Sequence, residues 1–585
     1  MIEDSVISAF WSQCRQRPDA PALVRKKNAK WEPLSWSQFG ARVAQLASAF
    51  KRAGLQSGDR VAIFSDNCPE WVIADYACMA AGLVSVPLYP TLTDAQVRYI
   101  IEHSGSRFAV VRGLDRLKKL LPITSLEKII VVDVTPQGEK TIAFGKFIKD
   151  ESTDPLPHIE AARALNTAAL ATIVYTSGTT AEPKGVMLSH ANAFAQCKML
   201  ANRVKRTPKD IVLSYLPLSH ITERANTFRQ ALVGYAVFFA QSFDTMAADL
   251  KEVRPTAFVA VPRVWEKFQE ALSSRISKES RFRRRMHQLA LEAAGQLIEL
   301  QKTGRTSLYA RLKLQAFDEV MGKTLRKTLG LDRCRLFISG AAPLDLHTIR
   351  FFYSIGIPLI EAYGMTEACG GCFINHDLSP AFGTVGPALD GLECKLASDG
   401  EILLRGGSIF MGYFKDPMQT TSALADGWLH TGDIGVLDGR GNLTITDRKK
   451  NIIITSGGKN VAPAPLEARL KRHPLVSQAV VVGDRRKYLT ALITLAAGAD
   501  RELARTAILK HVEEMNAQLP SYEKIKRFTV LDRDFTVEAG ELTATLKLRR
   551  GFIQERYKTL IDQMYESKDA STAPVAAFEG GRLLA

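Results

Sequence analysis

No apolar run in the 585 residues approaches the roughly 18 that a membrane-spanning helix needs. The nearest, Ala231-Leu-Val-Gly-Tyr-Ala-Val-Phe-Phe-Ala240, is too short and suits a buried α/β element. The first residues, Met1-Ile-Glu-Asp4, carry neither the basic nor the apolar stretch of a signal peptide, and the expectation is a cytoplasmic protein. Cysteine is scarce: eight residues scattered over this length exclude a disulfide framework and agree with a reducing compartment. Zinc-knuckle spacing, an RNP-like motif and an interleaved aromatic platform are all missing, which argues against a nucleic-acid binder. Internal repeats and long low-complexity tracts are missing too.

What is present describes a folded chain. A hydrophobic content of 46% against 24% charged residues allows a sizeable core, and the length calls for more than one domain. The net charge of +16, from 77 basic and 61 acidic residues, favours anionic partners such as nucleotides, phosphorylated carriers or acidic lipid surfaces. The sharpest basic cluster runs from Arg275 to Arg285 around Phe282; it reads first as a solvated helix face, with contact to a membrane surface or nucleic acid as the alternative.

Short β-prone runs alternate with helical stretches through the first two-thirds, the pattern of α/β layers. Expected strands are Arg60–Phe64, Phe108–Val111, Ile129–Asp133, Ala171–Tyr175, Ile211–Tyr215, Ala257–Val261 and Arg335–Ser339. Val264 to about Leu329 is charged and helix-prone, and Gly383 to Asp447 reads as short strands and turns. The composition shifts again at Asp447-Arg-Lys-Lys450. Beyond it, strands at Ile452–Thr455, Ala479–Val482 and Tyr488–Leu495 and helices at Pro463–Arg472 and Arg501–Ala517 make a compact α+β module. The expected fold is α/β: a large multi-layer N-terminal domain over 1–446 with a small β-rich unit, a hinge at 447–450, a small mobile α+β domain over 451–566, and a disordered tail over 567–585.

Tyr175-Thr-Ser-Gly-Thr-Thr-Ala-Glu-Pro-Lys-Gly185 carries the most chemistry. Small residues let backbone N–H groups approach phosphate oxygens, hydroxyls add donors, and Lys184 supplies charge. The loop reads as a triphosphate cradle between a strand and a helix from about His190; it is not a Walker A loop, since no Gly-Lys-Ser/Thr opens that helix. Ser339-Gly-Ala-Ala-Pro343 ends a strand with room for a flat ring. Glu361-Ala-Tyr-Gly-Met-Thr-Glu367 sets a ring, a hydroxyl and a carboxylate within five positions. Asp426–Asp433 ends in a carboxylate able to accept a ribose diol's hydrogens. Glu541-Leu-Thr-Ala-Thr-Leu-Lys547 presents a lysine after five uncharged residues.

Together and in this order, these segments resemble the adenylate-forming superfamily of acyl-CoA synthetases, luciferases and peptide-synthetase adenylation domains, over roughly Phe10 to Tyr557. Val261-Pro-Arg-Val-Trp-Glu266, Leu216-Pro-Leu-Ser-His220, the Asp426–Asp433 segment and the helix-prone stretch after Trp265 are most similar to long-chain fatty acyl-CoA synthetases. The resemblance implies an ATP- and Mg²⁺-dependent ligase that joins a fatty acid to CoA through an acyl-adenylate. By it, Thr176, Ser177, Gly178, Thr179, Thr180 and Lys184 hold the β- and γ-phosphates, and Glu367 binds Mg²⁺ with Thr176. Thr366 touches the α-phosphate, Tyr363 stacks on adenine near Gly340 and Ala341, and Asp433 takes the ribose with Arg448 beside it. Lys547 counters charge between carboxylate and α-phosphate, Lys450 is the hinge, and Gly457 and Gly458 line the CoA path. His220, a catalytic candidate with Lys547 and Glu367, sits near the reacting carbonyl and helps the acyl pocket switch state, or is a structural histidine, and Lys547, beside Arg549 and Arg550, has a solvated basic strand as its rival reading.

Three departures from the pattern stand out: Ala181 in the phosphate loop, Cys369 and the glycines after Glu367, and Pro465 with Glu467 retained. Cys369-Gly-Gly-Cys372 lacks a second half for zinc and reads as small walls of the acyl pocket. The rival functions are an acyl-AMP ligase serving an acyl carrier protein and a non-catalytic lipid- or nucleotide-binding relative. Peripheral contact with the inner face of an acidic membrane fits the basic surface; no nucleic-acid partner is expected.

Overall fold

The computed structural model describes residues 4–176, 182–302, 305–376, 380–543 and 547–566, with two short paired strands at Phe578–Glu579 and Arg582–Leu583. Most of the expected disordered tail, 567–585, lies outside the described residues, as do Ser177, Gly178, Thr179, Thr180 and Ala181.

Two eight-stranded sheets organise the first four hundred residues. One runs Gly370–Ile374, Ile360–Met365, Leu336–Gly340, Ala257–Ala260, Ile211–Ser214, Ala236–Phe239, Pro21–Lys27, Lys30–Ser35. The other runs Gly412–Tyr413, Lys184–Ser189, Leu170–Thr176, Val84–Leu88, Arg60–Phe64, Ser106–Val111, Lys128–Val131, Thr141–Ala143. Their inner strands pair in parallel and read as continuous apolar runs because both faces are covered; Val84–Leu88 is buried at every position. A four-stranded sheet orders Leu392–Leu396, Glu401–Gly406, Leu429–Leu437 and Leu443–Arg448.

The phosphate segment departs from the strand–loop–helix reading. Lys184–Ser189 is itself a strand, antiparallel to Leu170–Thr176, with Thr176 and Lys184 as register partners. The two strands are therefore the arms of a hairpin whose tip lies outside the described residues, and Lys184 begins the return strand. The helix does start at His190, capped by Ser189 and Asn192, whose side chains each accept the other's backbone N–H.

Beneath this hairpin lies a fully buried ion pair. The Arg224 guanidinium, on helix Ile221–Val233, donates from Nε to Asp75 at 2.9 Å, to Thr172 Oγ1 at 2.6 Å and to Ser85 Oγ at 2.7 Å, and neither member of the pair is exposed. Such a pair is tolerable only because each charge is met by further donors and acceptors. It ties helices Pro69–Ala81 and Ile221–Val233 to strands Val84–Leu88 and Leu170–Thr176.

The chain divides into two compact units, the second comprising Lys395–Leu403, Thr431–Val436 and the residues from Thr444 onward. At the heart of this second unit, Val476–Val482, Leu489–Leu495 and Ile525–Val530 form a three-stranded sheet. Its period-two alternation divides two cores. Ala479, Val481, Leu489, Ala491 and Ile493 pack with helices Pro463–Leu470 and Arg501–Ala517. Val480, Val482 and Leu492 pack with Phe535, Leu542, Ile553 and Ile561.

Candidate active site

In the first unit two of the sequence-marked groups, Lys184 and Glu367, meet on one side chain that sequence reading passed over, Tyr413. Its two-residue strand lies beside the return strand of the hairpin, with Tyr413 in register with Val186. The Lys184 ammonium stands 5.2 Å over the Tyr413 ring and donates to Gln419 Oε1. The Tyr413 hydroxyl donates to Glu367 Oε1 at 2.9 Å, and the Phe410 N–H donates to the Glu367 carbonyl at 2.8 Å. Burial and the Glu367 charge push the Tyr413 phenol far above its ordinary range, so it remains a donor. Tyr413 thus couples the lysine of one motif to the carboxylate of another.

Gly364 makes the approach to Glu367 possible. A Cβ there would stand 2.0 Å from the Gly370 carbonyl oxygen on the neighbouring strand. Gly185 is held similarly, because a Cβ would fall 2.8 Å from Ile173 and 3.2 Å from the Tyr175 ring. Thr366 and Tyr363 are buried, and Glu367, in the turn Thr366–Ala368, is half-buried. With one carboxylate oxygen taken by Tyr413, Glu367 keeps a second for a hard cation; a carboxylate and a threonine hydroxyl suit Mg²⁺, which fills most of its shell with water and phosphate oxygens. Gly340 ends its strand and Ala341 follows at φ 73°, a left-handed conformation that a non-glycine residue holds only under structural constraint.

The hairpin base has its own anchor, likewise unread in sequence. The Tyr175 hydroxyl and His103 Nδ1 are 2.7 Å apart, Tyr99 stacks on His103 at 5.1 Å, and Lys415 donates to the His103 carbonyl at 2.8 Å. Burial and the Lys415 charge hold the His103 imidazole below its usual range, outweighing Glu182 and Asp416.

His220 caps helix Ile221–Val233: its Nδ1 accepts the Thr222 N–H at 3.2 Å, and its ring meets Tyr89 edge-on. That commits one ring nitrogen to a structural task. Cys369 and Cys372 are buried free thiols, and burial pushes Cys369 up to about 12. Among the described residues no group of three or more His, Cys, Asp or Glu could hold a metal, so the CxxC pair has no zinc partners there.

In the second unit, Asp433 is 3% exposed and its Oδ1 lies 3.0 Å from Arg448 Nε, on the adjacent strand. Lys450 sits in the turn Lys449–Asn451, whose Lys449 pairs with Asp399 and Glu401. Gly457 and Gly458 lie in the tip between Ile453–Ile454 and Asn460–Val461. Lys547 stands in another tight hairpin: its N–H donates to Thr543 Oγ1 at 3.0 Å, the Thr543 N–H donates to its carbonyl at 2.8 Å, and Leu542 bridges Leu548. Of its basic neighbours, Arg550 forks onto the buried Glu467 carboxylate, while Arg549 is exposed and lies over Phe552.

With these residues described, comparison with known proteins is decisive. The AMP-binding enzyme family matches residues 10–414, and the AMP-binding enzyme C-terminal domain matches 450–569. The chain belongs to the AMP-binding enzyme family. Among its relatives, the long-chain-fatty-acid–CoA ligase FadD15 of Mycobacterium bovis is 33% identical, covering 97% of this chain and 98% of its own. The long-chain-fatty-acid–CoA ligase ACSBG2 of Xenopus laevis is also 33% identical, covering 95% and 82% respectively. A solved structure, the anthranilate CoA ligase AuaEII in complex with anthranoyl-AMP, shares the fold at a TM-score of 0.75 and 19% identity, over 95% of this chain and 98% of that one.

Proposed function

We propose that this AMP-binding enzyme is a long-chain fatty acid–CoA ligase that converts ATP, fatty acid and CoA to acyl-CoA, AMP and pyrophosphate. The observation that carries the reading is similarity at 33% identity along nearly the whole length of both FadD15 and this chain. In the first half-reaction a fatty-acid carboxylate oxygen bonds the α-phosphorus of ATP as the bond to the pyrophosphate oxygen breaks. In the second, the CoA sulfur bonds the acyl carbon and AMP leaves. Both steps ask the protein to align reactants and to meet charge where it develops.

In this reading Lys184 and Thr176, with Ser177, Gly178, Thr179 and Thr180, hold the outer phosphates. Tyr413 orients Glu367, and Glu367 with Thr176 holds Mg²⁺, which when bound neutralises phosphate charge. Thr366 contacts the α-phosphate, and Tyr363 stacks on adenine beside Gly340 and Ala341. Asp433 takes the ribose hydroxyls, oriented by Arg448. Lys547 meets the charge at the attacking carboxylate and α-phosphate, Lys450 is the hinge between half-reactions, and Gly457 and Gly458 line the thiol's path. His220, as a helix cap, fixes one edge of the acyl pocket. The enzyme works in the cytoplasm at the inner face of a membrane.

The test is pyrophosphate release across a panel of fatty-acid chain lengths, with and without CoA. CoA-stimulated turnover that peaks with long chains is the expected result. Release that stalls after a single turnover despite CoA would move the acceptor to an acyl carrier protein. No release with any acid would refute the reading.

A further inference from the structure

The helical stretch Arg275–Leu329 contains thirteen basic and five acidic residues, a net +8 that is half the chain's +16 in under a tenth of its length. Its acids are largely occupied within it: Glu279 pairs with Arg283 at 2.9 Å, Glu319 with Lys323 at 2.7 Å, and Asp318 with Arg326. Arg281, Arg284 and Arg285 are exposed at the start of helix Arg281–Lys302 and have no ion-pair partner among the described residues. Phe282 stands among them 67% exposed.

The next helix, Leu308–Phe317, buries only Ala310 and Phe317. Leu308, Tyr309 and Leu312 are 73%, 66% and 55% exposed, and at 3.6 residues per turn they share one face. Exposed Arg305 and Arg311 flank that face, and the Lys313 ammonium lies 4.3 Å from the centre of the Tyr309 ring. Large apolar side chains grouped within a cationic rim mark a binding surface.

We infer that this helical pair is the surface by which the protein docks on an anionic lipid bilayer, with Leu308, Tyr309 and Leu312 entering the headgroup region and the arginines meeting the phosphates. Charge decides the occupant. A second copy would set +8 against +8, and a nucleic acid would find aliphatic side chains where it needs a stacking platform. A bilayer satisfies both features at once, because apolar side chains enter the interface while cations stay at headgroup level. The inference extends the proposed activity, whose substrate dissolves in such membranes, but it does not depend on the chemistry.

The test is co-sedimentation of the full chain with phosphatidylcholine vesicles, with and without phosphatidylglycerol, at low and high salt. The expected result is partitioning at least tenfold stronger to the anionic vesicles, weakened by salt. Leu308→Ser with Tyr309→Ser and Leu312→Ser should lower it at least tenfold. Arg281→Gln with Arg284→Gln and Arg285→Gln should remove the anionic preference by roughly fivefold per charge. Turnover of a short water-soluble acid without vesicles should be unchanged in each variant, which separates failure of this surface from failure of the ligase reading. If the triple serine variant does not fold, Leu308→Ser alone serves, with a smaller loss expected. Equal binding to neutral and anionic vesicles, no binding to either, undiminished binding by the serine variants, dimerisation through this face, or salt-sensitive binding to DNA but not vesicles would each overturn the inference.

Discussion

Two hairpins present the lysines on which the proposed chemistry turns, and they are fastened by opposite means. Lys184 begins a six-residue strand inside an eight-stranded sheet, and its base is held by packed rings: Tyr175 on His103, His103 on Tyr99, with Phe414 edge-on to His103. Lys547 stands beside an isolated antiparallel bridge, Leu542 against Leu548, which joins no sheet among the described residues. There the fastening is ionic. Glu541, fully buried, accepts from Arg533 at 2.7 and 2.8 Å, from Tyr557 at 2.9 Å and from the Thr536 N–H at 3.2 Å. One lysine belongs to a rigid platform and the other to a small loop tied at a single carboxylate. That division suits a group holding ATP throughout and a group needed for one half-reaction.

The largest effect should come from the loop lysine. Lys547→Ala removes the charge proposed to meet the developing transition state, which should cost about 10²–10³ in the rate of acyl-adenylate formation. Thioester formation from supplied acyl-adenylate should stay within a few-fold of wild type. Pyrophosphate release and thioester formation measured separately check this, and equal losses in both would erase the distinction between the two lysines.

Next comes the knot beneath it. Glu541→Gln keeps the shape but loses the charge that Arg533 and Tyr557 meet, at a cost of about 1–3 kcal/mol locally. Hydrogen exchange should quicken around 542–548 and remain slow in Lys184–Ser189. Burial pushes the Glu541 carboxyl up, but hydrogen bonds from Arg533, Tyr557 and the Thr536 N–H outweigh it and hold the carboxyl below the usual range. The stabilisation is therefore complete above the ordinary carboxylate pKa of about 4 and is lost as the pH falls further.

The groups proposed to act stand out in the sequence, and those that hold them do not. Thr176, Lys184, Thr366, Glu367, Asp433 and Lys547 stand in short segments whose composition is itself chemical. Helix Arg501–Ala517 and strand Arg60–Phe64 were legible to the residue because each has an unbroken period and a clear boundary. Strand Lys184–Ser189 was obscured by Pro183 and Gly185, which look like breakers, although the glycine is what the close approach of Tyr175 requires. Tyr413 left no signal because a two-residue strand has no periodicity, and only the fold brings it 46 positions back to Glu367. Glu467 stands out in the sequence as a retained acid, but its partner Arg550 lies 83 positions on, where the only hint is a rival reading of a solvated basic strand.

Tyr413→Phe sharpens the platform side. It leaves a ring under the Lys184 ammonium and removes only the hydrogen bond to Glu367, a loss of about 1 kcal/mol or roughly fivefold. The loss should fall on KM for Mg²⁺–ATP and be partly recovered at high magnesium, whereas Tyr413→Leu, which also loses the ring, should not recover. Titrating activity against magnesium in both variants decides the matter. Equal behaviour would reduce Tyr413 to packing.

The smallest effect tests whether acid reaches the rings at the base of the platform, and the sign says it does. His103 is held below its usual range by burial and by Lys415, so the folded chain keeps it neutral where an unfolded chain would protonate it. A base with a depressed pKa contributes stability that is complete above its unfolded pKa of about 6.5 and declines as the pH falls below it. Acid therefore reaches the His103–Tyr175 contact before it reaches Glu541, and the platform loosens first. Between pH 7 and 5.5, KM for ATP should rise about two- to threefold in the wild type, the scale of one weakened hydrogen bond. His103→Gln, which keeps a polar partner for Tyr175 but cannot titrate there, should start with a slightly raised KM and show a flatter profile. If both proteins follow the same curve, His103 does not carry the acid response, and the rings at the hairpin base act through packing alone.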